Sequence, residues 1–298
     1  MTHRHNLDIT LTCQDGERLA ATLFEPELPA PPLGAVMLAP ATGIKRQFYA
    51  NFASFLATQG FAVLTFDNRG IGGSLHGRIS ASRAAIVDWG QQDMTAALEE
   101  LKRRYPASCY HLIGHSAGGQ LIGLMANHHH LSSMLAFASS SGSLRNMRWP
   151  FLLSAHYFMN LFMPLTTTLF GHAKNQWVGM GEPLPKRVAQ QWRKWCNGEG
   201  YLKTEFANGL KHHCDDVCLP GLWINASDDH IANDANVADM LAVYPKLQAQ
   251  RLQLIPSQHQ LNDIGHMKFF SRQAQSLWPI ALEWLLQHSH EQPQRQPA

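Results

Sequence analysis

The chain has 298 residues, enough for one large α/β domain with an insertion or for two small domains. Apolar residues make up 45% and charged residues only 15%, which fits a substantial core and gives no sign of a long disordered region. The net charge of +2 with neutral histidines gives no electrostatic support to a nucleic-acid role.

The polar N-terminus, Met1 to Asn6, lacks the apolar region of a signal peptide. Two alternating segments follow, Leu7 to Cys13 and Arg18 to Phe24, and Gln14-Asp15-Gly16-Glu17 between them predicts a hairpin turn. After the Pro-rich linker Pro26 to Pro32, Leu33 to Ala39 reads as a buried strand. Then come the loop Pro40-Ala41-Thr42-Gly43, a helical pattern from Gln47 to Gln59 and a strand from Phe61 to Phe66. A second helix is expected from about Asp88 to Arg104 and a strand from Cys109 to Ile113.

That strand runs into Gly114-His115-Ser116-Ala117-Gly118-Gly119, and a helix-like run from Gln120 to Asn127 follows. This is the setting of a nucleophile elbow, in which a serine on a strained turn needs small neighbours two residues away so that strand and helix approach closely. The N–H of Ala117, at the helix start, would point at an oxyanion formed by attack of Ser116 on a carbonyl. His128-His129-His130 falls at the expected helix end, where cations suit the dipole.

Met134 to Ala138 reads as another strand, after which the alternation lapses for about 75 residues, about half a small domain. Residues 139–216 are expected to form an inserted helical cap. They carry Trp149, Trp177, Trp192 and Trp195 with Phe151, Phe158, Phe162 and Phe170, some for packing and some for an apolar pocket. Alternation resumes with Gly221 to Ala226, a helix from about Asn233 to Val243, a strand Gln250 to Ile255 and a last helix from about Arg272 to Gln287. Residues 1–138 and 217–288 thus form the core, mostly a parallel sheet with helices on both faces, and residues 289–298 a disordered tail.

A serine nucleophile needs a base, and the base an orienting carboxylate. In the chain order that follows an elbow, Asp228-Asp229-His230-Ile231 comes directly after a strand end, and Gly265-His266 sits in the loop after the last strand. Asp229 is favoured over Asp228, and His266 over His259 and His115. The second oxyanion donor falls in the loop after Ala39, with Thr42 N–H favoured and Ala41 the alternative. His212-His213-Cys214 with Cys218 fits no common zinc spacing, so no metal or other cofactor is expected. Five cysteines without a CxxC pair argue against a disulfide framework and point to the cytoplasm. No run of about 18 apolar residues suggests a membrane span. The partner is a small-molecule substrate, and oligomeric state is not legible.

Phe66-Asp67-Asn68-Arg69-Gly70-Ile71-Gly72, Asp88-Trp89-Gly90, Gly114 to Gln120 and Gly265-His266-Met267-Lys268-Phe269-Phe270 together resemble the α/β-hydrolase superfamily over nearly the whole chain. More narrowly, they look like bacterial hydrolases related to serine aminopeptidases. The resemblance implies an α/β-hydrolase fold with an eight-stranded, mostly parallel sheet, a lid after strand six, and a Ser-Asp-His triad on Ser116, Asp229 and His266. The expected activity is cleavage of a carboxylic ester, amide or thioester with a modest apolar acyl group. The alternatives are a non-catalytic scaffold that binds a ligand or partner, and a peptidase or acyltransferase.

Overall fold

Residues 6–26 and 31–289 are described by a computed structural model. The tail residues 290–298 and positions 27–30 of the Pro-rich linker lie outside them.

The alternating segments at the start form an antiparallel hairpin, β1 (Asn6–Thr12) and β2 (Arg18–Phe24), turned at Gly16, whose φ of 84° suits glycine. Six further strands complete one sheet: β3 (Ala35–Ala39), β4 (Ala62–Phe66), β5 (Tyr110–His115), β6 (Leu131–Phe137), β7 (Pro220–Ala226) and β8 (Gln248–Leu254). Their order is β1-β2-β4-β3-β5-β6-β7-β8, and every pair from β4 to β8 is parallel. The central strands β3, β4 and β5 are buried along their whole length, which is why they read as continuous apolar runs.

Helices flank the sheet. α1 (Ala50–Thr58) and the C-terminal α8 (Trp278–Ser289) meet where Phe52 packs edge-on against Trp278, with ring centroids 5.6 Å apart. α2 (Thr95–Arg104) continues a helical stretch that begins at Ile86 and passes through a π-turn at Trp89–Met94. α7 (Asp234–Leu241) links β7 to β8 and is capped by Asn233, whose side chain accepts Asn236 N–H. No helix among the described residues is long and apolar enough to cross a membrane.

Between β6 and β7 lie α4 (Phe151–Tyr157), a π-turn at Phe158–Phe162, α5 (Met163–Phe170), a two-residue ladder of His172–Ala173 with Leu184–Pro185, and α6 (Lys186–Asn197).

Two expectations need correction. The helix after the elbow, α3, spans only Ala117–Gln120, not the run to Asn127. The Tyr244 hydroxyl donates to the Gln120 carbonyl, and Leu124 N–H turns instead to Leu121 O, so the chain tightens into a 3-10 turn at Ile122–Leu124. Consequently His128–His130 forms a turn of its own and not a helix end. Burial pushes the His128 imidazole below its usual pKa, so it is no cation on a dipole.

Candidate active site

The elbow exists because two glycines let backbone pass backbone. A Cβ on Gly114 would lie 2.3 Å from Gly119 N, and one on Gly118 would lie 2.1 Å from Ala39 O. Between them Ser116 is held at φ 48°, ψ −112°, a conformation that non-glycine residues rarely adopt. Its backbone is tied on both sides, Ser116 N–H to Phe137 O at 2.9 Å and Ser116 O to the Ser139 hydroxyl at 2.9 Å.

The loop after β8 brings His266 to this serine. His266 Nε2 is 3.1 Å from Ser116 Oγ, and His266 Nδ1 is 2.8 Å from Asp229 Oδ2. Asp229 is buried at the end of β7, where its other oxygen accepts Ile231 N–H at 2.8 Å and Ala232 N–H at 2.9 Å. Burial alone would raise its pKa. The adjacent imidazole and these hydrogen bonds outweigh it, holding the carboxyl below its ordinary value and therefore ionised.

Asp228 points elsewhere. Its carboxylate accepts Ile264 N–H at 2.9 Å and Gly265 N–H at 3.0 Å, and so pins the segment that presents His266. The two adjacent aspartates thus divide the work: one faces the imidazole and the other holds its loop. Asp263 stays at the surface, paired with Lys268.

In the loop after β3, Ala41 N–H donates to Tyr49 Oη at 2.9 Å. Ala41 N–H is thereby engaged, and Ala41 and Thr42 both line the cavity that Ser116 opens on. Ala117 N–H is in the first turn of α3, where N–H groups have no intrahelical acceptor.

His115 and Tyr49 form a connection that the sequence pattern does not reveal. Tyr49 Oη lies 2.9 Å from His115 Nδ1, and His115 Nε2 lies 2.8 Å from the backbone carbonyl of His266. Burial, reinforced by the nearby His266, lowers the His115 pKa to about 3, so its ring is neutral. A neutral ring with Nε2–H donating and Nδ1 accepting fits both contacts.

The remaining motifs serve the scaffold. Buried Asp67 accepts Arg46 N–H at 2.6 Å and Gly73 N–H at 2.8 Å, while Arg69 binds Asp93 and Asp15, each at 2.6 Å. Trp89 Nε1–H donates to Arg69 O, and a Cβ on Gly90 would strike Leu124 at 2.6 Å. His212 stacks on Phe206 and Cys214 is buried, its thiol pushed up to about 12 by burial. Among the described residues no group of three or more His, Cys, Asp or Glu is placed to hold a metal ion.

Ser116, His266 and Thr42 open on a cavity of about 420 Å³. Its walls include Leu144, Phe151, Phe158, Met159, Trp192 and Ile231. Trp192 meets Phe158 edge-on at 5.9 Å, whereas Trp195 is wholly buried and Trp149 and Trp177 stand in solvent.

The family model described as serine aminopeptidase, S33, matches residues 30–192, more than half of the chain. The chain belongs to this family. It is thereby an α/β hydrolase, and the match spans Thr42 and Ser116 and stops before Asp229 and His266. Among solved structures, an esterase of Pyrococcus furiosus superposes with a TM-score of 0.63 at 16% identity, over 96% of this chain and 91% of that one. A hypothetical protein of Pseudomonas aeruginosa gives 0.64 at 14% identity, over 97% and 95%. An α/β serine hydrolase without lid from Xanthomonas campestris gives 0.52 at 17% identity, over 97% and 94%. At these identities the likeness is one of fold. No curated protein matches the chain.

Proposed function

We propose that the protein is a serine hydrolase that cleaves carboxylic esters bearing a modest apolar acyl group. The observation that carries this reading is the run of contacts from Ser116 Oγ through His266 to Asp229 at the floor of an apolar cavity. In this mechanism Ser116 Oγ attacks the ester carbonyl as His266 Nε2 takes its proton. Asp229 holds the imidazole in the right tautomer and stabilises its charge. Ala117 and Thr42 N–H groups bind the oxyanion. The carbon–oxygen bond to the leaving alkoxide then breaks, and His266 returns the proton to it. Water, deprotonated by the same imidazole, attacks the acyl-serine, and collapse frees the acid and Ser116.

Residues 139–216 act as a cap over this chemistry, with 1–138 and 217–288 as the core. Their cavity walls favour apolar acyl chains and disfavour charged substrates, whose desolvation is costly. The family description favours a peptidase as the second reading. A panel of p-nitrophenyl esters of increasing chain length, with aminoacyl anilides alongside, separates the two. The ester reading expects kcat/KM to rise with chain length until the cavity is filled, each methylene being worth roughly 1 to 3 kcal/mol, and turnover of the anilides to be slow. Faster cleavage of the anilides would transfer the protein to the peptidases.

A further inference from the structure

The stretch from Phe151 to Phe170 contains no Lys, Arg, Asp or Glu and has two apolar faces. One, with Phe151, Ala155, Phe158 and Met159, lines the cavity over Ser116. The other meets solvent: Leu153, Leu161, Leu165 and Leu169 are each more than half exposed, with Trp149 at 73% before them and Trp177 at 60% after. Four-residue steps overshoot an α-helical turn by about 40°, so leucines at this spacing would wind around a regular helix. The wider π-turn at Phe158–Phe162 takes back part of the overshoot. The row therefore stays on the outside of the molecule.

Cations surround it. Arg148 precedes Trp149 and is exposed, and Lys174 Nζ lies 5.0 Å from the Phe170 ring and 5.5 Å from that of Trp177. Lys186 and Arg193 line a groove with Pro164 and Thr168 alongside α5. None of these four has a carboxylate within ion-pair distance among the described residues, whereas Arg145 and Lys194 are paired with Glu199 and Glu205. Residues 139–216 carry nine Lys and Arg against five Asp and Glu, so the positive charge of the chain is concentrated here.

We infer that this face docks the protein on an anionic lipid surface, with the leucines and tryptophans in the acyl boundary and the four cations at the level of the headgroup phosphates. A second copy of the chain fits less well. The row offers roughly 30 Å by 10 Å, about 300 Å², against about 800 Å² per partner in a stable interface. Docking goes beyond the hydrolase reading and is independent of which bond Ser116 cleaves. It would set an apolar solute in the surface one helix away from the cavity.

The test is flotation of the full-length protein, as Ser116→Ala to prevent lipid turnover, with vesicles of phosphatidylcholine alone or with added phosphatidylglycerol. The protein should float with the anionic vesicles and be released as salt is raised. Leu161→Asp with Leu165→Asp, away from the cavity, should weaken binding by at least about tenfold, since each leucine forfeits its burial. Lys174→Glu with Arg193→Glu should weaken binding to the anionic vesicles alone, and circular dichroism and cleavage of a water-soluble acetate ester in the Ser116 background should be unchanged for both variants. Failure of a folded protein to float, or equal flotation of the double aspartate variant, would overturn docking. So would a sedimentation-velocity dimer that the double aspartate variant splits, because the face would then belong to a second copy. Absence of any ester cleavage with flotation intact would count against the hydrolase reading and leave docking standing.

Discussion

His115 Nε2 donates to the backbone carbonyl of His266 across 2.8 Å, so the residue beside the elbow serine holds the backbone of the histidine that faces that serine. The same ring accepts from Tyr49, which in turn accepts Ala41 N–H. Two buried side chains thus tie the loop of Thr42 to the loop of His266. Relative movement of these loops would alter the distance between the proposed oxyanion donor and the proposed base, on which the rate of such a reaction depends steeply.

Replacing Tyr49 by Phe cuts this tie with little change in volume. We expect kcat to fall about tenfold, the equivalent of roughly 1.4 kcal/mol and of the order of one buried hydrogen bond, with KM nearly unchanged. Steady-state kinetics on a soluble ester checks this, and an unchanged kcat would show that the tie does not position the site.

The adjacent aspartates give a ranked pair. Asp229→Asn should lower kcat by a factor on the order of 10³ to 10⁴, because the amide cannot hold the required imidazole tautomer. Asp228→Asn keeps one acceptor for Ile264 and Gly265 N–H and should cost only about tenfold. The reverse ranking would transfer the orienting role to Asp228.

What the sequence made legible follows from how local each constraint is. The elbow could be read because the requirement for Gly114 and Gly118 lies within a few residues of Ser116. The parallel sheet could be read because β3, β4 and β5, buried on both faces, leave continuous apolar runs. Asp229 could be favoured over Asp228, but the hold of Asp228 on Ile264 and Gly265 could not be read, since it depends on a turn in which Asp229 N–H returns to Ala226 O. The end of the elbow helix is not legible locally, because its terminator, Tyr244, lies 124 residues away from Gln120. The contact between Tyr49 and His115, 66 residues apart, is hidden for the same reason, although a histidine inside a buried strand end next to a serine is a polar group that must find partners.

Acid should destabilise the fold. Burial depresses His111 and His115 to about 3 in the folded chain, well below the unfolded value of roughly 6.5. As pH falls from about 6.5 towards about 3, the unfolded chain takes up protons that the folded chain refuses, so stability is full above this window and is lost within it. The slope is at most about 1.4 kcal/mol per pH unit for each histidine. Urea unfolding at pH 7 and pH 5 measures it. His111→Asn should flatten the dependence, and an identical slope would assign acid lability to other groups.

The most direct measurement is labelling of the folded protein with a fluorophosphonate probe, which reacts with a serine only when a base and an oxyanion site activate it. Wild type should label in a single position mapped by mass spectrometry to Ser116, Ser116→Ala should not label, and His266→Ala should label far more slowly. A folded wild type that stays unlabelled, or that labels equally well without Ser116, would contradict the assignment of this site to hydrolysis and favour a scaffold that only binds.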